Sequence, residues 1–415
     1  MPLKTLHLYC HVVDNFGDAG VCWRLARQLA REHALEVTLW IDRPEVLRRL
    51  VPDLVLDVVQ DSRFAQAEQG IAREAALAVV EPIARPVAGG TLAVRPWPLT
   101  EPIGALADAV VCAFGCEPPA WLRNRLAGGP SRPLWLNLEY LSAEDWVDGC
   151  HRLASIKPAD GACEYFYFPG FRPTTGGLLR ERTLLTERDA FHCGTVASTW
   201  WRAHDLPEQP GRRVSIFCYP DAPLPALLRA MADGPESTIA LLPEGVGGAA
   251  LQGLLDELGA PAPGHRVPRW QFGRLILARL PMLPIDDYDR LLWSCEMNFV
   301  RGEDSWLRGL WAGRPMVWQP YRQADEAHRA KLDAFLHWQT QALRGLAPAT
   351  APRNALTALA DLSHAWSAGT DPGAAWASVA AALPELTAAS AALSREMALQ
   401  RDLADLLVEF CNSKL

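Results

Sequence analysis

The chain has 415 residues, enough for two domains with proper cores, so it needs no disulfide or metal staples. Its 49% hydrophobic and 21% charged residues are ordinary for a globular enzyme. A net charge of −8 excludes any global attraction to nucleic acid or to an anionic membrane.

The first residues, MPLKTLHLYC, run straight into a β-rich stretch over 5–13 and lack the three regions of a signal peptide. No apolar run approaches the ~18 residues that span a bilayer, so a cytoplasmic protein is expected. A loop, DNFGDAG, follows. Val21, Leu25 and Leu29 then recur four apart, the stripe of an amphipathic helix. Residues 36–41 read as a strand and 45–50 as a short helix. Continuous apolar strands separated by helices predict a parallel sheet covered on both faces. Further strands are predicted at 77–80, 109–114 and 134–138.

Residues 157–190 break this rhythm. EYFYFPGF and TTGGLLRE predict a structured loop and an interdomain passage. The rhythm restarts at Arg213, with strands at 214–219, 238–242, 275–280, 297–300 and 316–318. Helices are predicted at 224–231, 249–258, 288–295 and 306–311, and helices fill the remainder. The Ala-rich stretch at 374–393 is broken by Pro384 and Glu385 and reads as soluble helix. The last pattern, 385–410, is long enough to cross back onto the first domain. The fold class is α/β, with two facing Rossmann-like domains and ligands at the carboxyl ends of the strands. The expected division is 1–185, 186–383 and a returning 384–415.

The ten cysteines form no Cys-x-x-Cys pair and several sit in apolar runs, which predicts reduced core thiols. Cys112 and Cys116 share the spacing of a helical face. They have no matching His or Cys pair, so no zinc site is expected.

Four constellations bear on chemistry. Asp14 and Asp18 lie where the first strand turns into the first helix, around Asn15, Phe16 and Gly17. Two acids would repel a pyrophosphate and suit a cation; equally, Asp18 caps the helix and Asp14 holds a turn. Neither reads as a core position. Arg301, Glu303, Asp304 and Ser305 follow a strand and open a helix. Backbone N–H groups and a forked guanidinium there suit a diphosphate, and a plain cap fits the same spacing. Asp286, Asp287 and Asp289 contain Asp-x-Asp, a metal pattern, but acids in a first helical turn complement the helix dipole. Phe217, Tyr219 and Tyr321 stand at or beyond strand ends, where aromatics stack a base or sugar or simply pack. The run at 165–168 suits a docking surface or a packed loop.

VVDNFGDAGVCWRLARQL, WLNLEYLSAEDW, YFYFPGFRPTTGGLLRE and NFVRGEDSWLRGLWAGRPMVWQPY together resemble the elongation factor P arginine rhamnosyltransferase family, EarP, in order over almost the whole chain. The resemblance implies a GT-B glycosyltransferase fold, dTDP-β-L-rhamnose as donor, inversion at the anomeric carbon and no metal or other cofactor. Its acceptor would be an arginine in the N-terminal domain of elongation factor P. It implies Asp18 as general base with Asp14 beside it, and Glu303 as a residue needed for activity. Arg301, Asp304, Ser305, Tyr321, Phe217 and Tyr219 would bind the donor, with Asn15, Phe16 and Gly17 of the first loop. Relatives imply an aromatic near Met282 and a glutamine near Ile285, where this chain departs and thymidine contacts should differ. A guanidinium, with a pKa above about 12, is a poor nucleophile while charged. A carboxylate paired with it has a lowered pKa, so proton transfer to Asp18 should come late.

Two rivals are a Rossmann oxidoreductase, with Asp42 where a ribose-binding acid sits, and a non-catalytic nucleotide-sugar-binding protein. The missing Gly-x-Gly-x-x-Gly and the acidic loop oppose the first. The presence of both Asp14 and Asp18 opposes the second.

Overall fold

The computed structural model describes residues 2–14, 16–54, 90–97, 106–128, 132–158, 160–323, 326–346 and 353–415. It divides into two α/β units, Met1–Arg182 with Arg401–Leu415, and Thr183–Gln400.

The first unit contains β1 (Thr5–Cys10), α1 (Phe16–His33), β2 (Glu36–Ile41), α2 (Pro44–Leu50), β3 (Thr91–Pro96), β4 (Ala109–Ala113) and α3 (Ala120–Ala127). It continues with β5 (Leu134–Leu138), α4 (Val147–Cys150), β6 (Ala154–Ile156) and β7 (Cys163–Tyr167). Among the described residues its sheet runs β3-β2-β1-β4-β5-β7-β6. All pairs are parallel except the β6–β7 edge. Every residue of β4 is buried, as a strand covered on both faces requires. Val21, Leu25 and Leu29 form the buried stripe of α1.

The second unit begins with α5 (Leu184–Phe191), α6 (Val196–Ala203), β8 (Arg212–Ile216), α7 (Leu224–Asp233), β9 (Thr238–Pro243) and α8 (Gly248–Leu258). Next come β10 (Arg269–Phe272), β11 (Leu275–Leu280), α9 (Ile285–Ser294), β12 (Met297–Arg301), α10 (Asp304–Ala312) and β13 (Met316–Gln319). Helices α11 (Ala327–Leu346), α12 (Arg353–Ala368), α13 (Gly373–Ala381) and α14 (Leu383–Met397) complete it; α15 (Leu403–Lys414) belongs to the first unit. The second sheet runs β10-β11-β9-β8-β12-β13 among the described residues, antiparallel only at β10–β11. Among the described residues no single helix is long and apolar enough to cross a membrane; α13 and α14 meet such a test only as a pair bent by 76°.

The structure departs from the sequence expectation in several places. The aromatic run expected as a loop holds β7, hydrogen-bonded between β5 and β6. Strands β3, β6 and β10 carry too short or too mixed a pattern to stand out. The strand expected at 77–80 lies outside the described residues. The pattern at 385–410 is two helices rather than one, and only its end, from Arg401, joins the first unit, so the division falls at 182/183 and 400/401. The start of α15 is fixed by both local and distant contacts. Asp402 caps α15 by accepting the Asp405 N–H at 3.0 Å, and it also accepts from Gln28 Nε2 at 3.1 Å. The Leu403 N–H bonds the Leu178 carbonyl at 2.9 Å. Gly177, at φ +75°, lets the two segments approach, since a Cβ there would stand 2.8 Å from the Arg401 carbonyl oxygen.

Asp402→Ala removes the cap and the Gln28 bond together. It should lower stability by about 1–2 kcal/mol, the usual scale of a lost N-cap. Urea unfolding and amide exchange of α15 check this: a lower midpoint and faster exchange in 403–414 are expected, and unchanged exchange there would remove Asp402 as the anchor.

Candidate functional site

In an open parallel sheet, ligands bind where the strand order reverses, beyond the carboxyl ends of the two strands flanking the reversal. In the first unit that point lies between β1 and β4. The loop after β1 carries Asp14 and leads to Asp18 in the first turn of α1. Asp18 is 1% exposed, so it is a buried residue, contrary to the expectation from the sequence. Its Oδ2 accepts the N–H groups of Val13 and Asp14, both at 2.8 Å. The loop carbonyl of Asp14 in turn accepts the Gly17 N–H at 2.8 Å. Asp18 therefore reaches back across the loop and holds its backbone. Asp42, beyond β2, takes the preceding N–H, that of Val12, at 2.9 Å and pairs with His11 Nδ1 at 2.7 Å.

Asp18 Oδ1 is buried and makes no hydrogen bond of normal geometry. Burial holds this carboxyl above the ordinary carboxylate range. The two backbone N–H groups, the Tyr140 side chain and the nearby His11 pull in the opposite direction without winning. Tyr140 follows β5, and its ring stacks on Phe114, which follows β4, at 4.4 Å and 14°. Phe114 has φ +60°, an uncommon conformation for a residue with a side chain, and its N–H bonds the Leu138 carbonyl at 2.6 Å. Neither aromatic was singled out from the sequence. The available signal was position, since both stand immediately beyond central strands.

Of the other first-loop residues, Phe16 lies under the Arg49 guanidinium, 5.3 Å from its ring centroid, and Asn15 lies outside the described residues. Gly17 bonds Asp14 as above.

In the second unit the order reverses between β8 and β12. The segments beyond these strands bring together Phe217, Tyr219 and Arg301. The Arg301 guanidinium stands 4.2 Å from the Phe217 ring centroid and 4.6 Å from that of Tyr219, and bonds the Cys218 carbonyl at 3.3 Å. Tyr321, 47% exposed, meets Tyr219 edge-on at 5.7 Å. Glu303 is the N-cap residue of α10 and Asp304 is its first residue; no side-chain cap bond forms. Ser305 Oγ instead accepts the Arg301 N–H at 3.0 Å and donates to the Arg301 carbonyl. Trp318 Nε1 donates to the Gly302 carbonyl at 2.8 Å, fixing the turn from below. The first turn of α10 thus stands beside a stacked, oriented guanidinium, an arrangement suited to phosphate oxygens.

The Asp-x-Asp acids are committed elsewhere. Asp287 accepts from Trp200 Nε1 at 2.8 Å and pairs with Arg290 at 2.6 Å. Asp289 is not a helix-start acid; it is buried in a two-bond pair with Arg308, at 3.0 and 2.6 Å. Met282 and Ile285 precede and open α9, and Ile285 is buried. Cys112 lies in β4 and Cys116 in the following loop, where its Sγ bonds the Tyr9 carbonyl, so they share no helix face. Among the described residues no three His, Cys, Asp or Glu side chains gather as a metal cluster. In the aromatic run, Tyr167 and Phe168 are buried, and Tyr165 and Tyr167 pack on Phe410 of α15.

The chain is similar to known proteins over nearly its whole length. Residues 6–412 match the family model described as Elongation-Factor P (EF-P) rhamnosyltransferase EarP. A protein-arginine rhamnosyltransferase of Pseudomonas putida is 39% identical over 414 residues, covering 99% of each chain. One of Pseudomonas aeruginosa is 38% identical over 416 residues, covering 98% of this chain and 99% of the relative. A solved structure described as the structural basis for EarP-mediated arginine glycosylation of translation elongation factor EF-P is 29% identical, with a TM-score of 0.61 and 99% of each chain covered. The two α/β units are those of a GT-B glycosyltransferase. On sequence and fold, the chain belongs to the EarP family of elongation factor P rhamnosyltransferases.

Proposed function

We propose that this protein transfers L-rhamnose from dTDP-β-L-rhamnose, with inversion, to an arginine in the N-terminal domain of elongation factor P in the cytoplasm, using Asp18 as general base and no metal ion. The observation that carries this is the buried Asp18 carboxyl, with one oxygen tied to the loop and the other unbonded, beside a second acid in a family of arginine rhamnosyltransferases. An oxidoreductase would need Asp42 for a ribose; here Asp42 is engaged by Val12 and His11.

In the proposed reaction an arginine nitrogen attacks the anomeric carbon. The C–N bond forms, the bond from that carbon to the dTDP oxygen breaks, and the nitrogen's proton passes to Asp18. Asp14 and Asp18 orient the guanidinium, whose charge favours the carboxylate form of Asp18. Before the cation arrives, burial has made Asp18 a stronger base than an exposed aspartate. The two effects oppose each other, and proton transfer completes once attack has made the nitrogen acidic. Negative charge growing on the departing dTDP falls to Arg301 and the first turn of α10, with Glu303, Asp304 and Ser305 shaping that turn. Phe217, Tyr219 and Tyr321 supply stacking faces for base or sugar.

Incubation of elongation factor P with the protein and dTDP-rhamnose should add one deoxyhexose by intact mass, and UDP-glucose should add nothing. No mass change with dTDP-rhamnose would overturn the donor and acceptor together.

Asp18→Asn keeps an acceptor oxygen for the Val13 and Asp14 N–H groups, so its thermal melt should stay near wild type. Single-turnover transfer should fall roughly 10²-fold or more. The base must be ionised to act, and burial raises its pKa. In kcat/KM for the acceptor, which reports the free enzyme, the wild type should therefore fall on the acid side above the ordinary aspartate value of about 3.9, and the variant should lack that limb. Near-normal turnover in the variant would assign the base elsewhere.

Arg301 and a helix N-terminus can stabilise the leaving group without a divalent ion. Transfer should thus persist in excess EDTA. Loss of turnover on chelation, restored by Mn²⁺, would show that a metal takes part.

A further inference from the structure

Beneath the aromatic loop of the second unit lies Gln319, the last residue of β13, only 2% exposed. Its Oε1 accepts the Tyr219 N–H at 2.8 Å. Its Nε2 donates to Asp221 Oδ1 at 3.0 Å, and Asp221 Oδ2 pairs with Arg322 Nε at 3.2 Å. Its backbone carbonyl accepts the Gly302 N–H at 3.3 Å. One residue therefore ties together the ends of β8, β12 and β13, which carry Tyr219, Arg301 and Tyr321.

The chemistry requires a carboxamide. The Tyr219 amide can only donate and an ionised Asp221 can only accept, so the side chain between them must offer an acceptor and a donor. This also fixes which way the amide points. Leucine offers neither. Glutamate accepts from Tyr219 but sets a second carboxylate against Asp221. Gln319 is buried and both bonds are partly buried, so an unmade bond on its side is not replaced freely by water.

We propose that Gln319 is a positioning residue for donor binding: it fixes the Tyr219 loop against the Arg301 turn, so that the stacking faces and the guanidinium are ordered before the nucleotide arrives. The inference rests on the assignment of the second unit to the dTDP-sugar given above. Preorganisation of this kind raises affinity by removing the ordering cost from the binding step.

The test is calorimetric titration of dTDP into the full-length protein, with a thermal melt and amide exchange over 217–222 for each variant. Gln319→Leu should bind dTDP roughly tenfold more weakly, the scale of one hydrogen bond lost to imperfect pairing. Exchange over 217–222 should speed up. The donor KM should rise further than kcat falls, because the acceptor side is untouched. Gln319→Glu should be similarly impaired at neutral pH. Asp221→Asn should bind nearly normally, since the carboxamide oxygen it introduces still accepts from Gln319. The double variant Gln319→Glu with Asp221→Asn restores a donor–acceptor match and should recover most of the affinity. A purely structural role would lower the melt without this swap-dependent recovery. Wild-type affinity in Gln319→Leu, or an impaired double variant with a normal melt, would overturn the inference alone. A wild-type protein indifferent to dTDP would overturn the donor assignment and Gln319's role with it.

Discussion

A parallel sheet whose strand order reverses leaves a crevice that its own connections cannot fill, because the chain departs in opposite directions from two adjacent strands. Both units are built on this constraint. In the first the reversal falls between β1 and β4, in the second between β8 and β12. The residues with chemical potential are those that the reversal leaves at the rim. Asp14 and Asp18 follow β1, Phe114 follows β4, and Tyr140 follows the neighbouring β5. Phe217 and Tyr219 follow β8, while Arg301 ends β12. The fold sets the places and local chemistry decides what is held there.

In the first unit the deciding interaction is a carboxylate that serves the backbone. Three consecutive N–H groups, of Val12, Val13 and Asp14, point inward and are shared between Asp42 and Asp18. These bonds are partly buried, so an unpaired N–H there would be only partly compensated by water. Using one oxygen of Asp18 for this work leaves its other oxygen buried and unbonded. Two N–H bonds favour ionisation and burial opposes it; burial prevails and the proton is held more tightly than at the surface. Capping the loop and acting as a base, alternatives at the level of sequence, are therefore compatible in one side chain. The same side chain does the first with Oδ2, and in the proposed reaction Oδ1 is left for the second.

Legibility in the sequence followed the range of the interactions. DNFGD and RGEDS stood out because each packs its polar residues into one strand-to-helix turn, a short-range pattern. The buried stripe of α1 was visible for the same reason. Tyr140 and Phe114 were not, because their relation to Asp18 depends on β1, β4 and β5 lying side by side. Strand β7 looked like a loop because its aromatics lead into Pro169 and Gly170. Its identity comes from pairing with β5 and β6. The helical period at 385–410 continues across a real break, since the restart at α15 is set by Asp402, which caps that helix and also bonds Gln28, a residue distant in sequence. Asp289 carried a helix-start signature but is claimed by Arg308 from the next helix.

The second unit shows why its cation is an arginine. In the proposed reaction Arg301 has to hold its place before an anion arrives, and a lone charge at a rim would otherwise be drawn into solvent. Its planar guanidinium solves this by lying against the Phe217 and Tyr219 rings while one N–H holds the Cys218 carbonyl. Cation–π contact uses the face of the group and leaves further N–H donors along its edge. A lysine ammonium, compact and strongly hydrated, has no separate face and edge with which to do both. Stacking and hydrogen bonding thus fix the charge beforehand, and the proposed growth of negative charge on an oxygen at the neighbouring helix start would need little reorganisation. The aromatic residues that look like a binding surface for a ring are therefore also the support for the cation.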